Sequence, residues 1–135
     1  MKLELNGTPE EVMRAVETMQ EFARGEGVPE KMLFGLALAL EECGSNVVNH
    51  ALRRDAGRKF RVDFERRGDE FVIELRDDGP AFDPTAVAMR PMVAEDDLPP
   101  GGWGIPLVRR YIEEIRYRRE GEENVLELRK RLDAA

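Results

Sequence analysis

The segment Met32–Ala51 limits the architecture more than any other stretch of the chain. Its first half, Met32 to Leu40, is apolar on every side, the pattern of a helix enclosed in a core. Its second half keeps Cys43, Gly44, Val47 and Val48 on one side and collects polar groups on the other. At about 100° per residue, Glu42, Asn46 and Asn49 fall within about 60° of arc, with His50 alongside. One Glu or Asn at a helix end is usually just solvated. A carboxylate and two amides leaving a core helix together cost free energy unless something satisfies them. This helix therefore either carries a buried polar network or forms the floor of a site.

With 135 residues the chain is read as a single domain, 1–135, large enough for one core. The net charge of −7 argues against a general nucleic-acid surface, although Arg53-Arg54 and Arg116 to Arg119 are local basic patches. No apolar run approaches membrane-spanning length, and the first residues alternate and carry acid, unlike a signal peptide. A cytoplasmic location is expected. One cysteine and one histidine exclude an intramolecular disulfide, a cysteine-based zinc site and a multi-histidine centre. No Gly-x-Ser-x-Gly turn is available to present a nucleophilic serine.

Along the chain, residues 2–6 read as a short strand. Thr8-Pro9-Glu10-Glu11 is a helix start, with Thr8 as N-cap and Glu11 placed for a capping box, and helical spacing continues through residues 9–24. The second helix opens at Pro29 and runs to about Leu52. Phe60, Val62 and Phe64, then Phe71, Ile73 and Leu75, alternate with charged or polar residues around Arg67-Gly68-Asp69, which is a hairpin. Residues 77–102 are loop-like, with room for a short helix at 85–90. A third helix is predicted from Gly104 to Ile115, followed by a hairpin of residues 115–120 and 124–132. The expected fold class is α+β: a two-layer sandwich whose mixed, mostly antiparallel sheet carries about three helices on one face.

Two turns complete a plausible nucleotide site. Asp77-Asp78-Gly79 follows a strand; an Asp there accepts from an exocyclic amine, and the glycine admits a ring near the backbone, although the same residues make an ordinary tight turn. Gly101-Gly102-Trp103-Gly104 opens a helix, where backbone N–H groups and the helix dipole attract an anion. An ordinary P-loop is excluded, because no Gly-Lys-Ser/Thr follows. Asn46 would serve Mg²⁺, which needs only one or two protein oxygens beside phosphate. Glu42, one turn earlier, would take a proton from an attacking hydroxyl or water. The loop between the turns would then be a lid.

At these residues the chain resembles the gyrase, chaperone, histidine kinase and mismatch-repair ATPase superfamily with its Bergerat ATP-binding fold, and more narrowly the anti-sigma-factor serine/threonine kinases. Three signatures carry the resemblance in order: Glu42-x-x-x-Asn46-x-x-x-His50, Asp77-x-Gly79 followed by Phe82-Asp83-Pro84, and Gly102-x-Gly104-Ile105. The resemblance implies an ATP- and Mg²⁺-dependent kinase with Glu42 as general base and Asn46 as the metal ligand. It places Asp77 on the adenine amino group with Gly79 beside the ring, and Gly102, Trp103 and Gly104, with Ile105 behind them, on the phosphates. Asn49, His50 and Ala81 would complete the pocket, Ala81 standing where many relatives have a second glycine. It further implies a sigma factor and an anti-anti-sigma protein as partners, with the latter phosphorylated, and a homodimer. Asn124-Val125 stands where many superfamily members place a threonine that supports the adenine contact. Two other readings stay open: a nucleotide-binding anti-sigma or switch module without kinase activity, and an α+β interaction domain with no nucleotide.

Overall fold

The computed structural model of the protein describes residues 1–86 and 104–133. In order these are β1 (Lys2–Asn6), α1 (Pro9–Gly25), α2 (Glu30–Asn46), a π-helical turn (Val47–Ala51), β2 (Lys59–Arg67) and β3 (Glu70–Asp77). A 3₁₀ turn (Pro84–Ala86), α3 (Gly104–Val108), β4 (Glu114–Glu120) and β5 (Glu123–Arg131) follow. The sheet order is β1-β2-β3-β5-β4, and all four pairings are antiparallel, so the sheet is more uniform than the mixed one expected.

The α+β two-layer arrangement follows from strand parity. Residues opposite each other across the ladders share a face. Leu5, Phe60, Val62, Phe64, Phe71, Ile73, Leu75, Leu126 and Leu128 occupy one face and are buried under the helices. Helix α1 contributes Val12, Ala15, Val16, Met19 and Ala23. Its start is capped as expected: the Thr8 hydroxyl accepts from Glu11 N at 3.3 Å, while the Glu11 carboxylate accepts from Asn6 N at 3.2 Å, two residues before the N-cap. Helix α2 is buried on several sides through Leu33, Leu36, Ala39, Leu40 and Cys43. Gly44 lets it approach α1, since a Cβ there would lie 3.0 Å from a Val12 methyl.

Two departures from the periodicity have local causes. The second helix does not stay regular to Leu52. From Val47 it widens into a π turn, with Leu52 N donating to Val47 O at 2.8 Å and Arg54 N to Val48 O at 2.7 Å. Arg53 and Arg54 then take left-handed backbone angles, φ 52° and 59°, to turn the chain toward β2. The third helix ends at Val108 rather than Ile115. Val108 and Ile112 are buried, and Glu114 and Ile115 are taken by the ladder to Arg129 and Leu128. Sheet pairing wins over helical spacing there. The short helix expected at 85–90 begins as the 3₁₀ turn at 84–86, and residues 87–90 lie outside the described residues.

Candidate nucleotide site

The site forms where the end of α2 meets the ends of β3 and β5. Asp77 and Asn124 are the buried polar residues among those described, 5% and 4% exposed, and they face each other in the β3–β5 register. The same row carries Phe60 on β2 and Arg119 on β4, so the inner face changes from apolar to polar at its last rung. Asp77 Oδ1 accepts from Gly79 N at 2.9 Å and from Asn124 Nδ2 at 2.9 Å. Among the described residues, Asp77 Oδ2 has no hydrogen-bond partner. A carboxylate oxygen held by two donors is fixed in orientation.

A cavity opens beside this pair. Cys43, Asn46, Val47 and Ala51 line it from α2 and the π turn; Asp77, Asn124 and Tyr117 line it from the sheet, and Phe82 and Pro84 from the loop. Asn46 of the polar stripe and Asp77 of the turn, 31 residues apart in sequence, thus share one cavity. Glu42 sits one turn before Asn46 and is half-buried outside the lining. Burial, and secondarily the neighbouring Glu41 charge, raises its carboxyl above the ordinary carboxylate value, which makes it a stronger proton acceptor. Burial, with Glu42 nearby, pushes the Cys43 thiol up to about 12, so Cys43 packs as a neutral side chain.

The remaining predicted residues are distributed differently. His50 is exposed and its ring stacks on Phe82, centroids 5.4 Å apart, so it supports the wall rather than lining the cavity. Asn49 is exposed on the π turn and accepts from Arg54 Nε at 3.0 Å. Ala81 is exposed. Gly79 is buried, and its missing side chain faces the π turn: a Cβ would lie 2.6 Å from the Ala51 carbonyl oxygen. Its glycine is thus required by the close approach of the Asp77 turn to α2's end. Gly104 is the first residue of α3, and Ile105 packs half-buried against the core. Gly102 and Trp103 lie outside the described residues.

One site residue escapes the motif reading. Of the Asn124-Val125 pair, where the resemblance leads one to expect a threonine hydroxyl, Asn124 donates its amide to Asp77. Its position two residues before Leu126 in an alternating strand places it on the inner face, which is the available sequence signal.

An adenine nucleotide fits this chemistry. Asp77 lines an apolar cavity with a carboxylate, a group that suits an exocyclic amine, and Asn46 lines the same cavity with an amide. No group of three or more His, Cys, Asp or Glu side chains stands ready for a metal among the described residues, so Mg²⁺ would rely on Asn46, phosphate oxygens and water. Among the described residues no helix is long and apolar enough to cross a membrane.

Comparison with known proteins gives the family and the fold. A family model described as histidine kinase-like ATPase domain matches residues 5–130. The serine/threonine-protein kinase BtrW of Bordetella bronchiseptica is 28% identical over 127 residues, covering 93% of this chain and 89% of BtrW. Among solved structures, the RsbU and RsbW domains of Rv1364c from Mycobacterium tuberculosis superpose with a TM-score of 0.71 at 16% identity. That match covers 98% of this chain, which spans 31% of the Rv1364c chain. The SiaB-SiaC complex from Pseudomonas aeruginosa gives 0.62 at 10% identity, covering 96% of this chain and 88% of its own. At these identities the structural likenesses establish the fold.

Proposed function

We propose that this chain, which belongs to the histidine kinase-like ATPase domain family and stands with its serine/threonine kinases, acts as an anti-sigma regulatory kinase. In this reading it uses ATP and Mg²⁺ to phosphorylate a serine or threonine of an anti-anti-sigma protein. It binds a sigma factor in the alternative state of the switch, as a cytoplasmic homodimer. The observation that carries the reading is the cavity shared by Asn46 and Asp77, with a proton-accepting Glu42 one turn away on the same helix.

The roles follow from the chemistry of each group. Asp77 accepts from the base through Oδ2 while Oδ1 stays bound to Gly79 and Asn124. Asn46 offers its amide oxygen to the cation, which, when bound, would neutralise charge on the phosphates. Glu42 accepts the proton of the attacking hydroxyl, a task helped by its raised basicity. The phosphates are assigned to the backbone N–H groups at the start of α3, as the glycine motif implies.

Single-turnover transfer of labelled phosphate from ATP to a cognate anti-anti-sigma protein tests the reading. Glu42→Gln is expected to slow transfer by about 10²–10⁴-fold with ATP affinity retained. Equal rates for the two proteins would remove Glu42 from the base role. Tight ATP binding with no transfer to any partner would leave a nucleotide-responsive switch in place of a kinase.

A further inference from the structure

We infer that Phe34 and Leu38 of α2, with Tyr111 beside them, form the surface on which the phosphate-accepting protein docks, and that this surface receives an acidic amphipathic helix. The inference rests on the kinase reading above and names where its protein substrate is held.

Phe34 is the most exposed large hydrophobic residue among those described, at 66%. A single exposed apolar side chain needs no explanation. This one belongs to an assembly. Its ring meets Tyr111 edge-on, with centroids 5.7 Å apart and planes at 81°. Tyr111 can lie against α2 because residue 35 is glycine: a Cβ there would stand 2.7 Å from the Tyr111 Cβ. The next side chain along the same i, i+4 row is Leu38, half-buried, and the one after it is Glu42. α2 is a regular α-helix over that span, so Glu42 stands about 12 Å from Phe34 along the axis. A helix laid along the row reaches from the aromatic pair to the proton acceptor.

Charge selects the occupant. Lys31 lies one turn before Phe34, and Arg109 and Arg110 directly precede Tyr111; all three are exposed. Among the described residues none of them has a carboxylate partner, whereas Arg76 and Arg129 on the outer face of the sheet have three each. Aromatic side chains and arginine are also the residues that dominate protein interfaces. An acidic partner is attracted here and repelled by the rest of a chain whose net charge is −7. Glu41 and Glu42 repel acid at the other end of the row. The docked helix therefore has its acidic residues at the Phe34 end, while the hydroxyl that receives phosphate lies toward Glu42.

The test uses the full chain and its cognate anti-anti-sigma protein, with steady-state transfer giving KM and the immobilised partner giving Kd. Phe34→Ala is expected to raise both by about 10–100-fold, leaving kcat at saturating partner and the affinity for ATP unchanged. Arg110→Glu is expected to slow association by about 10-fold at low salt and to do little at high salt, a dependence that a folding defect does not mimic. A loss of ATP affinity in Phe34→Ala would mark a structural role and overturn the inference. Unchanged KM and Kd in both variants, with normal transfer, overturn the docking surface and leave the kinase in place. Binding weakened in both variants, with no transfer by the wild type either, keeps the docking surface and overturns the kinase. A wild type that sediments as a dimer beside a monomeric Phe34→Ala assigns the surface to a second copy of the chain, and overturns the acidic partner.

Discussion

On the outer face of the sheet, Arg76 reaches Glu74, Glu120 and Glu123, and Arg129 reaches Glu70, Glu114 and Glu127. On the inner face, at the ends of the same strands, Asp77, Asn124, Tyr117 and Arg119 form one small network beside the cavity. Both regions are polar and both are dense in contacts. The outer charges stay in contact with water, have several interchangeable partners and are screened, so each pair contributes little. Of the inner groups, Asp77 and Asn124 are buried, Tyr117 is half-buried and Arg119 stands at the exposed rim, so removing the Asn124 amide strands a buried carboxylate oxygen. Strand parity puts residues one position apart, such as Arg76 and Asp77, into these two regimes.

The sharpest way to break this contrast is Asn124→Ala. It leaves the Pro80 carbonyl, the Phe82 N–H and the Tyr117 hydroxyl short of a partner, and is expected to destabilise by about 3 kcal/mol, read by urea denaturation. Gly79→Ala follows at about 2 kcal/mol, because its Cβ would meet the Ala51 backbone rather than a side chain that could move. Arg53→Gly acts in the opposite direction. It relieves the left-handed backbone after the π turn and should raise stability by about 1 kcal/mol. Arg61→Gln on the outer face breaks the pair with Glu123 and should cost less than about 0.5 kcal/mol, disappearing at high salt. A loss from Arg61→Gln as large as that from Asn124→Ala would erase the distinction between the two faces.

Glu42 gives the smallest and most diagnostic effect. Its carboxyl is raised in the folded protein, so the native state holds a proton that the unfolded chain releases sooner. Stability therefore falls as pH climbs from the ordinary carboxylate range through the raised value. Glu42→Gln removes that penalty. Its melting temperature is expected to exceed the wild type's near neutral pH and to match it below the ordinary carboxylate range. The variant expected to slow phosphate transfer should thus be the more stable protein, the usual sign of a group retained for function.

Much of the architecture was readable from residue order because its causes are local. Thr8-Pro9 starts α1 through a cap and a fixed φ, and the alternation of Phe60 to Phe64 and Phe71 to Leu75 is the imprint of one wet and one dry face. The apolar run from Met32 correctly announced a buried helix, and the stripe led to Asn46. The same reading missed the π turn, since a 3.6-residue period cannot reveal where a helix widens, and it extended α3 through Ile115 because apolar spacing is blind to a competing ladder.

What residue order determined by itself is which groups are capable of chemistry: an acid and an amide one turn apart on a core helix, and an Asp-x-Gly turn after a strand. Tertiary structure alone decided which of them meet. β5 pairs with β3 across the long intervening segment, and that non-consecutive ladder sets Asn124 opposite Asp77. Local propensity encodes how each strand runs, but not which edge it will join. That choice belongs to the core, where Leu75 on Leu126 and Ile73 on Leu128 fix the register that brings the amide to the carboxylate.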